Sequence, residues 1–404
     1  MEGKSLRPMS LEIPESWRPE KAEKENRAED YYVLTARQCQ ALAAAHAVWG
    51  NILDEESELT AAVVGRGRTP RARAAALQSD LLRYSALSER NRAAGDALEL
   101  FYRLAEAEAH WDLSEAALEL LQKAEGSKVG SESSASSSSG TEEQKNTKTD
   151  TPSSPKTSET VSVDRWRAER ERWEKRREES EQRIEHINSQ LRSMLGGEVG
   201  DFRRIWPSAT LSIRPQKLNV DRAIQQGLEE RAELRALRRL LRGIDAHDLS
   251  AVRHALDQWH PALGATPSRF PVLAQALGTP PQHMEAAARE EQIRFLLLRR
   301  EKEVEEEIRQ AARQVQAALQ ELAQANQAYQ AALEVRRKKV SSDSAPEHND
   351  AQLTAQLALY EAQAELIRRA AAWKIAEVRL LQAVGILARD SGYPLPEDAW
   401  QGLE

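Results

Sequence analysis

The sequence is poor in several residue types on which many protein functions depend. Its single cysteine in 404 residues, Cys39, excludes an intrachain disulfide and a zinc site built on cysteines, and its position on an apolar stripe predicts a plain core residue. Aromatic residues make up 5% of the chain, which does not favour one thick globular core. No apolar run approaches the roughly 20 residues of a transmembrane helix, and the N-terminus contains no apolar region typical of a secretory signal.

Ala, Leu, Glu, Arg and Gln dominate the remaining composition, and 30% of the residues are charged. This mixture is typical of long helices that each bury one stripe of side chains. The net charge of -7 argues against a nucleic-acid-binding chain, because neutralising phosphates requires a basic surface. We therefore expect an elongated, mainly α-helical molecule with no nucleic-acid partner.

Apolar side chains recur at alternating spacings of four and three residues, which keeps them on one side of a helix. We call each such row a seam. The pattern predicts two long antiparallel helical hairpins, one pairing residues 94–126 with 164–195 and one within 285–387. The structural seam residues that we single out are Leu100, Leu104, Trp111, Leu118, Val304, Ile308, Val315, Leu322, Tyr329, Leu357, Tyr360, Ile367 and Val378. A second apolar row beside the last seam consists of Ala351, Ala355, Ala358 and Ala362, and it predicts a further neighbour for that helix.

Polar segments divide the chain. Residues 1–30 contain three Pro and dense charge, which predicts a disordered tail, and residues 126–162 form a Ser/Thr-rich loop, predicted to be a disordered tip. A shorter polar break covers residues 338–350. The predicted units are a short helix and first hairpin arm at 31–125, a second arm and connection at 163–217, and a repeat at 218–404.

The two halves begin alike, which indicates an internal duplication of a unit of about 185 residues. Thr35 precedes Leu42 in the first half as Asp221 precedes Leu228 in the second, and both Thr35 and Asp221 are predicted to be helix N-caps. Between the halves, alternating apolar residues bounded by Pro207 and Pro215 predict one short edge strand near 208–214.

The sequence offers little for catalysis or for metal binding. His247 and His254, with Asp248 and Asp257 nearby, could share a helix face as metal ligands, but a solvated polar helix explains them better. The basic run at 65–73 lacks interleaved aromatic residues, which favours a solvated loop over a phosphate site. We predict no catalytic, cofactor-binding or metal-binding residues, and a protein that is not an enzyme.

The stretch LNVDRAIQQGLEERAELRAL at 218–237 resembles the TolC family of outer membrane efflux proteins in its leucines, small residues and Glu-Leu pair. The stretch LTARQCQAL is a weaker copy of it in the first half. The stretches RNRAAGDALELFYRLAEAEA and IWPSATLSIRPQ are similar to the planctomycete branch of that family. The resemblance covers about residues 31–388.

This resemblance implies a homotrimer in which hairpins from three chains form a helical tunnel across the periplasm, beneath the outer membrane. It implies a role in efflux, with a periplasmic adaptor protein and an inner membrane pump as partners at the hairpin tips. The seams would then pack each helix on its hairpin partner and on neighbours around a cylinder.

Two places depart from the family. Family members insert a pair of membrane strands between the short helix and the long helix of each half. Here we expect a basic turn followed by helix in the first half, and a helix at 248–259 followed by a Pro-rich loop in the second. The expected fold is therefore TolC-like with little or no β-barrel. The alternative function is a soluble helical coiled-coil scaffold that has lost the pore.

Overall fold

The computed structural model describes residues 9–12, 31–64, 69–135, 157–196, 204–208, 210–213, 218–244, 249–259, 263, 282–341 and 347–388. In these ranges the chain is mainly α-helical. The helices are α1 (Ala36–Ala45), α2 (Val48–Val64), α3 (Pro70–Ala135), α4 (Thr157–Leu195), α5 (Val220–Glu230), α6 (Ala232–Gly243), α7 (Leu249–Trp259), α8 (Gln282–Ser341) and α9 (Glu347–Val384). The strands are β1 (Met9–Glu12), β2 (Tyr31–Thr35), β3 (Arg204–Ser208) and β4 (Thr210–Ile213).

Helices α3 and α4 form the first hairpin. Helix α3 begins at Pro70, whose fixed φ suits a first helical turn, and the Thr69 hydroxyl accepts a hydrogen bond from the Ala72 N–H at 3.2 Å. Its 66 residues make a rod of about 100 Å at 1.5 Å per residue. Ion pairs from Arg170 to Glu125 at 3.0 Å and from Arg177 to Glu115 at 3.3 Å show that α4 returns antiparallel along it.

Helices α8 and α9 form the second hairpin, and α9 also packs against α3. An ion pair of Arg369 with Glu321 joins α9 to α8, and one of Arg379 with Glu99 at 2.7 Å joins α9 to α3. The main contacts of the long helices follow the order α4, α3, α9, α8, and one large apolar cluster lies among all four. A second cluster near the tips joins α3, α4 and α9, where Arg172 also pairs with Glu361 at 2.9 Å. The predicted architecture of two antiparallel hairpins is confirmed.

The caps of the short helices in the two halves correspond. The Thr35 side chain accepts from the Gln38 N–H in a capping box at the start of α1, as predicted. At the start of α5 the cap is Asn219, which accepts from the Arg222 N–H at 3.1 Å. The prediction of Asp221 as this cap is wrong, because the helix begins earlier, at Val220. Asp221 lies instead in the first turn, where its negative charge favours the helix dipole.

The ends of the two hairpins correspond as well. Gly196 follows α4 with φ of +75°, and Gly385 follows α9 with φ of +85°. A Cβ at Gly196 would lie 2.8 Å from the ring of His46, and one at Gly385 would lie 3.0 Å from Arg231 Cδ. His46 and Arg231 are the C-caps of α1 and α5. Each hairpin thus ends in a left-handed glycine against the end of its own short helix, as a duplicated unit requires.

The β-structure is more extensive than the single edge strand predicted near 208–214. Strand β1 pairs antiparallel with β4, and β2 pairs parallel with β3, so the described residues contain two two-stranded sheets. Strand β1 lies inside the segment 1–30 that was predicted to be a disordered tail, and for Met9–Glu12 that prediction is wrong. The partner of β1 lies about 200 residues away, and no local pattern reveals such a pairing.

The hairpin arms also extend beyond their predicted ends. Helix α3 continues to Ala135 and α4 begins at Thr157, so part of the segment 126–162 is helical rather than disordered. Residues 136–156 lie outside the described residues. Propagating an existing helix adds one hydrogen bond for each residue that it orders, which extends the arms into polar sequence. The division of the chain into units at 31–125, 163–217 and 218–404 stays a prediction.

Candidate functional site

The seam residues lie along the inner faces of the long helices. The buried ones are Leu104, Val304, Ile308, Val315, Leu322, Leu357, Ile367 and Val378. The half-buried ones, which pack against the buried clusters, are Leu100, Trp111, Leu118, Tyr329 and Tyr360. The structure therefore brings the seams of both hairpins together in the interior of one helical layer.

The second apolar row of α9 is partly covered within the chain. Ala355 is buried, Ala351 and Ala362 are half-buried, and Ala358 is exposed. Because α9 has α8 on one side and α3 on the other, two rows suit its two neighbours within a single chain. The row is thus no evidence by itself for contact with other copies.

A buried carboxylate joins the first hairpin to strand β3. Glu108, on α3, is fully buried, and its Oε1 lies 3.5 Å from Arg204 Nε, while Arg204 Nη1 donates to Glu181 of α4 at 2.9 Å. Asn188 Oδ1 accepts the Ile205 N–H at 2.7 Å. These contacts fasten β3 across both arms, and removing one partner of such a buried ion pair is costly.

A second buried ion pair lies on α9. Lys374 Nζ is 3.1 Å from Glu377 Oε2 and 4.9 Å from the centre of the Trp373 ring, and all three side chains are buried. Trp373 and Glu377 lie one and three residues from Lys374 in the sequence, so these contacts are local to one stretch of helix. Charged residues are abundant in this chain, and sequence alone does not distinguish the few buried ones from the exposed majority.

Glu106 and His110 lie one turn apart on α3, facing cationic side chains. Burial raises the pKa of Glu106 above its ordinary value, against the lowering effect of Arg183 and Arg368. Burial, and then the charges of Arg183 and Arg368, lower the pKa of His110 to about 4. His110 is therefore neutral in the folded chain at neutral pH, with Nε2 at 3.9 Å from Glu106 Oε1.

Arg231 holds the second half together at the junction of α5 and α6. It donates to Glu233 at 2.6 Å, to the Ala383 carbonyl at 2.9 Å and to Glu307 at 2.8 Å. Burial alone would raise the pKa of Glu233, but the charge of Arg231 and hydrogen bonds from Arg231 and Arg300 outweigh it and hold this pKa below its ordinary value. The cluster fixes the short helices on both arms of the second hairpin.

The other residues singled out in the sequence are not brought together into a site within the described residues. Cys39 is fully buried and donates to the Ala97 carbonyl at 3.5 Å, and burial raises the pKa of its thiol, which confirms it as a core residue. His254 is exposed on α7, which begins at Leu249 close to the predicted start, and His247 lies outside the described residues. Of the basic run, residues 65–68 are also outside them, and helix follows from Pro70 as predicted.

The described residues contain neither a cluster of metal-binding side chains nor a membrane-spanning helix. In that part of the chain, no group of three or more His, Cys, Asp or Glu side chains is placed to hold a metal ion. No helix there combines the length and the hydrophobicity that crossing a membrane requires.

The fold is that of TolC-family outer membrane channels. The open-state outer membrane channel MtrE of Neisseria gonorrhoeae has a TM-score of 0.53 and 9% identity, covering 87% of this chain and 88% of that one. CusC, described in connection with transmembrane channel formation, has a TM-score of 0.52 and 11% identity, over 85% and 88% of the two chains. A membrane protein from Pseudomonas aeruginosa has a TM-score of 0.50 and 12% identity, over 78% and 70%.

Comparison of the amino-acid sequence alone identifies no relative of this chain. No protein-family model matches the sequence, and no curated protein matches it. At identities of 9% to 12%, the similarity to the channels is one of fold.

Proposed function

We propose that this chain is the outer membrane channel component of an efflux system and that it works as a homotrimer. In this proposal the two hairpins of each copy form one third of a helical tunnel across the periplasm. The tip ends of the hairpins, at which α3 reaches Ala135 and α8 reaches Ser341, face a periplasmic adaptor protein and an inner membrane pump. The role is passage of a substrate rather than catalysis.

The observation that supports this proposal is the open layer of long helices. Among the described long helices, the order α4, α3, α9, α8 places α4 and α8 at its two ends, and α4 also meets α9 near the tip through Arg172 and Glu361. A layer with two different edges closes into a ring when each copy joins its first edge to the second edge of the next. Channels of similar fold, among them MtrE, have the same arrangement of helices over most of their length.

The proposal is tested by cell fractionation combined with light scattering on the full chain. We expect the protein in the envelope fraction, and after detergent extraction a protein mass three times the 45.3 kDa of one chain. A stable monomer confined to the cytoplasm would contradict the efflux function.

A second candidate is a helical coiled-coil scaffold without a pore. It is favoured by the helical start of α3 and by α7, because these occupy described parts of the places at which the family inserts membrane strands. The scaffold would give the cytoplasmic outcome of the fractionation, with the hairpins intact by circular dichroism.

A further inference from the structure

Helices α3, α4 and α9 come together between the hairpin tips and the strands. Near the tips, one buried residue from each helix packs in a shared cluster, namely Ala117, Trp173 and Leu357. Two turns from this cluster towards the strands, about 10 Å along the helices, His110 of α3 lies level with Ser180 of α4 and Ala364 of α9. His110 is therefore placed where arms of both hairpins meet.

The imidazole of His110 lies in this place without a hydrogen bond from the described residues. Its side chain is 27% exposed, and its Nε2 atom is buried and has no hydrogen-bond partner in the described part of the chain. The carboxylate of Glu106, one turn away on α3, is 3.9 Å from Nε2, beyond hydrogen-bond distance. A neutral imidazole suits these surroundings, whereas a charged one loses hydration that nothing here replaces.

The charged side chains around His110 come from all three helices. The cationic groups are Arg103 of α3, Arg176 and Arg183 of α4, and Arg368 of α9, and the anionic groups are Glu106 of α3 and Glu365 of α9. Glu365 already pairs with Arg368 of its own helix at 2.5 Å. A proton on His110 therefore adds positive charge where cations already gather. We call His110 and these six charged residues the three-helix joint.

The link between α4 and α9 beside this joint consists of charged side chains at the surface. Glu361 of α9 pairs with Arg172 of α4 at 2.9 Å and with Arg176 at 3.6 Å. The three side chains are between 35% and 49% exposed, and exposed ion pairs contribute little to stability. This link is therefore the part of the joint that yields most easily.

The proton affinity of His110 couples the joint to pH. Burial, and then the charges of Arg183 and Arg368, lower the pKa of His110 to about 4, whereas water around an opened joint restores its ordinary value near 6.5. The open form thus binds a proton first as the pH falls, which favours opening progressively from about pH 6.5 to pH 4. Burial raises the pKa of Glu106, so Glu106 opposes this effect by favouring the closed form in acid.

We propose that the three-helix joint is an acid-operated switch, in which protonation of His110 separates α9 from α4 and loosens the link between the two hairpins. The other end of α9 stays in place, because Asn91 of α3 accepts the Leu387 N–H at 2.9 Å and Arg379 pairs with Glu99 at 2.7 Å. The switch lies within one chain and does not depend on the trimer of the proposed function.

Hydrogen exchange of the full chain, followed by mass spectrometry, tests the switch. After correction for intrinsic rates with an unfolded reference, exchange at 361–371 of α9 should accelerate between pH 7 and pH 5. This acceleration should be about tenfold larger in the wild-type chain than in His110→Gln. His186→Gln removes an exposed histidine of α4 and is the matched control, which should respond as the wild-type chain does. His110→Arg carries a permanent charge and should show the faster exchange already at pH 7.

Spin labels provide a second readout. Cys39 is buried, so labels can be attached to Gln182→Cys on α4 and Ala372→Cys on α9, both at exposed positions. The distance between the labels should lengthen at pH 5 in the chain with His110 and stay constant in the chain with His110→Gln. Equal responses of these two chains, or no faster exchange at pH 5, would overturn the switch. An equal acceleration at 305–320 of α8 would overturn it as well, because the whole chain would then be unfolding.

Discussion

At the scale of single residues, Leu322 shows how much the second hairpin depends on its seam. It is fully buried in the main cluster, whereas Val335 on the same helix is 50% exposed. Leu322→Asp places an unpaired carboxylate in this core and should lower the free energy of unfolding by about 3 to 5 kcal/mol. The control Val335→Asp should change it by less than about 1 kcal/mol. Urea denaturation followed by circular dichroism measures both, and equal losses would show that the seam does not form the core.

His110 predicts how stability depends on pH. Its pKa of about 4 in the folded chain lies below its ordinary value near 6.5, so the unfolded chain binds a proton first as the pH falls. The stabilisation is complete above about pH 6.5 and is lost progressively towards pH 4, up to about 3 kcal/mol. Glu106, whose pKa is raised by burial, acts in the opposite direction.

The comparison with His110→Gln isolates this effect, because glutamine does not titrate and Glu106 is present in both chains. Thermal unfolding between pH 7 and pH 4.5 should destabilise the wild-type chain more steeply than the variant. Parallel curves for the two chains would mean that His110 is solvated in the folded protein.

At the scale of helices, the two short helices α1 and α5 depend on matched N-caps. Thr35→Ala removes the acceptor of the Gln38 N–H, and Asn219→Ala removes the acceptor of the Arg222 N–H. Each change should cost about 1 kcal/mol. Thr35→Ser keeps the hydroxyl and is the control, with a cost of a few tenths of a kcal/mol. Thermal unfolding in parallel checks this, and a neutral result for both alanine variants would argue against the duplicated caps.

At the scale of the whole molecule, the length of the longest helix sets the size of the assembly. Helix α3 spans about 100 Å, and copies that join edge to edge add width but no length. Small-angle X-ray scattering should therefore give a maximum dimension on the order of 100 Å for the trimer. A trimer about twice as long would mean that the copies meet end to end.

The helical hairpins could be predicted from the sequence because a seam depends only on side chains a few residues apart. The alternation of four and three residues from Val304 to Tyr329 specifies which side of α8 is buried. Helix capping by Thr35 and the burial of Cys39 follow in the same way from short-range pattern. The helix ends were less predictable, because Asn219 and Asp221 are both good caps and a helix continues through polar residues once it is formed.

Tertiary structure alone decided what each seam packs against. The pairing of β1 with β4, the order α4, α3, α9, α8, and the ion pair of Glu108 with Arg204 have no local signature. The exposure of large apolar residues such as Trp49 and Phe295 was missed for the same reason, since apolar spacing does not show which apolar side chains the rest of the chain covers. The sequence by itself determined the helices and their apolar faces, because helix periodicity is local. Neighbours and edges were decided by the fold, because they depend on contacts between residues as far as 347 positions apart.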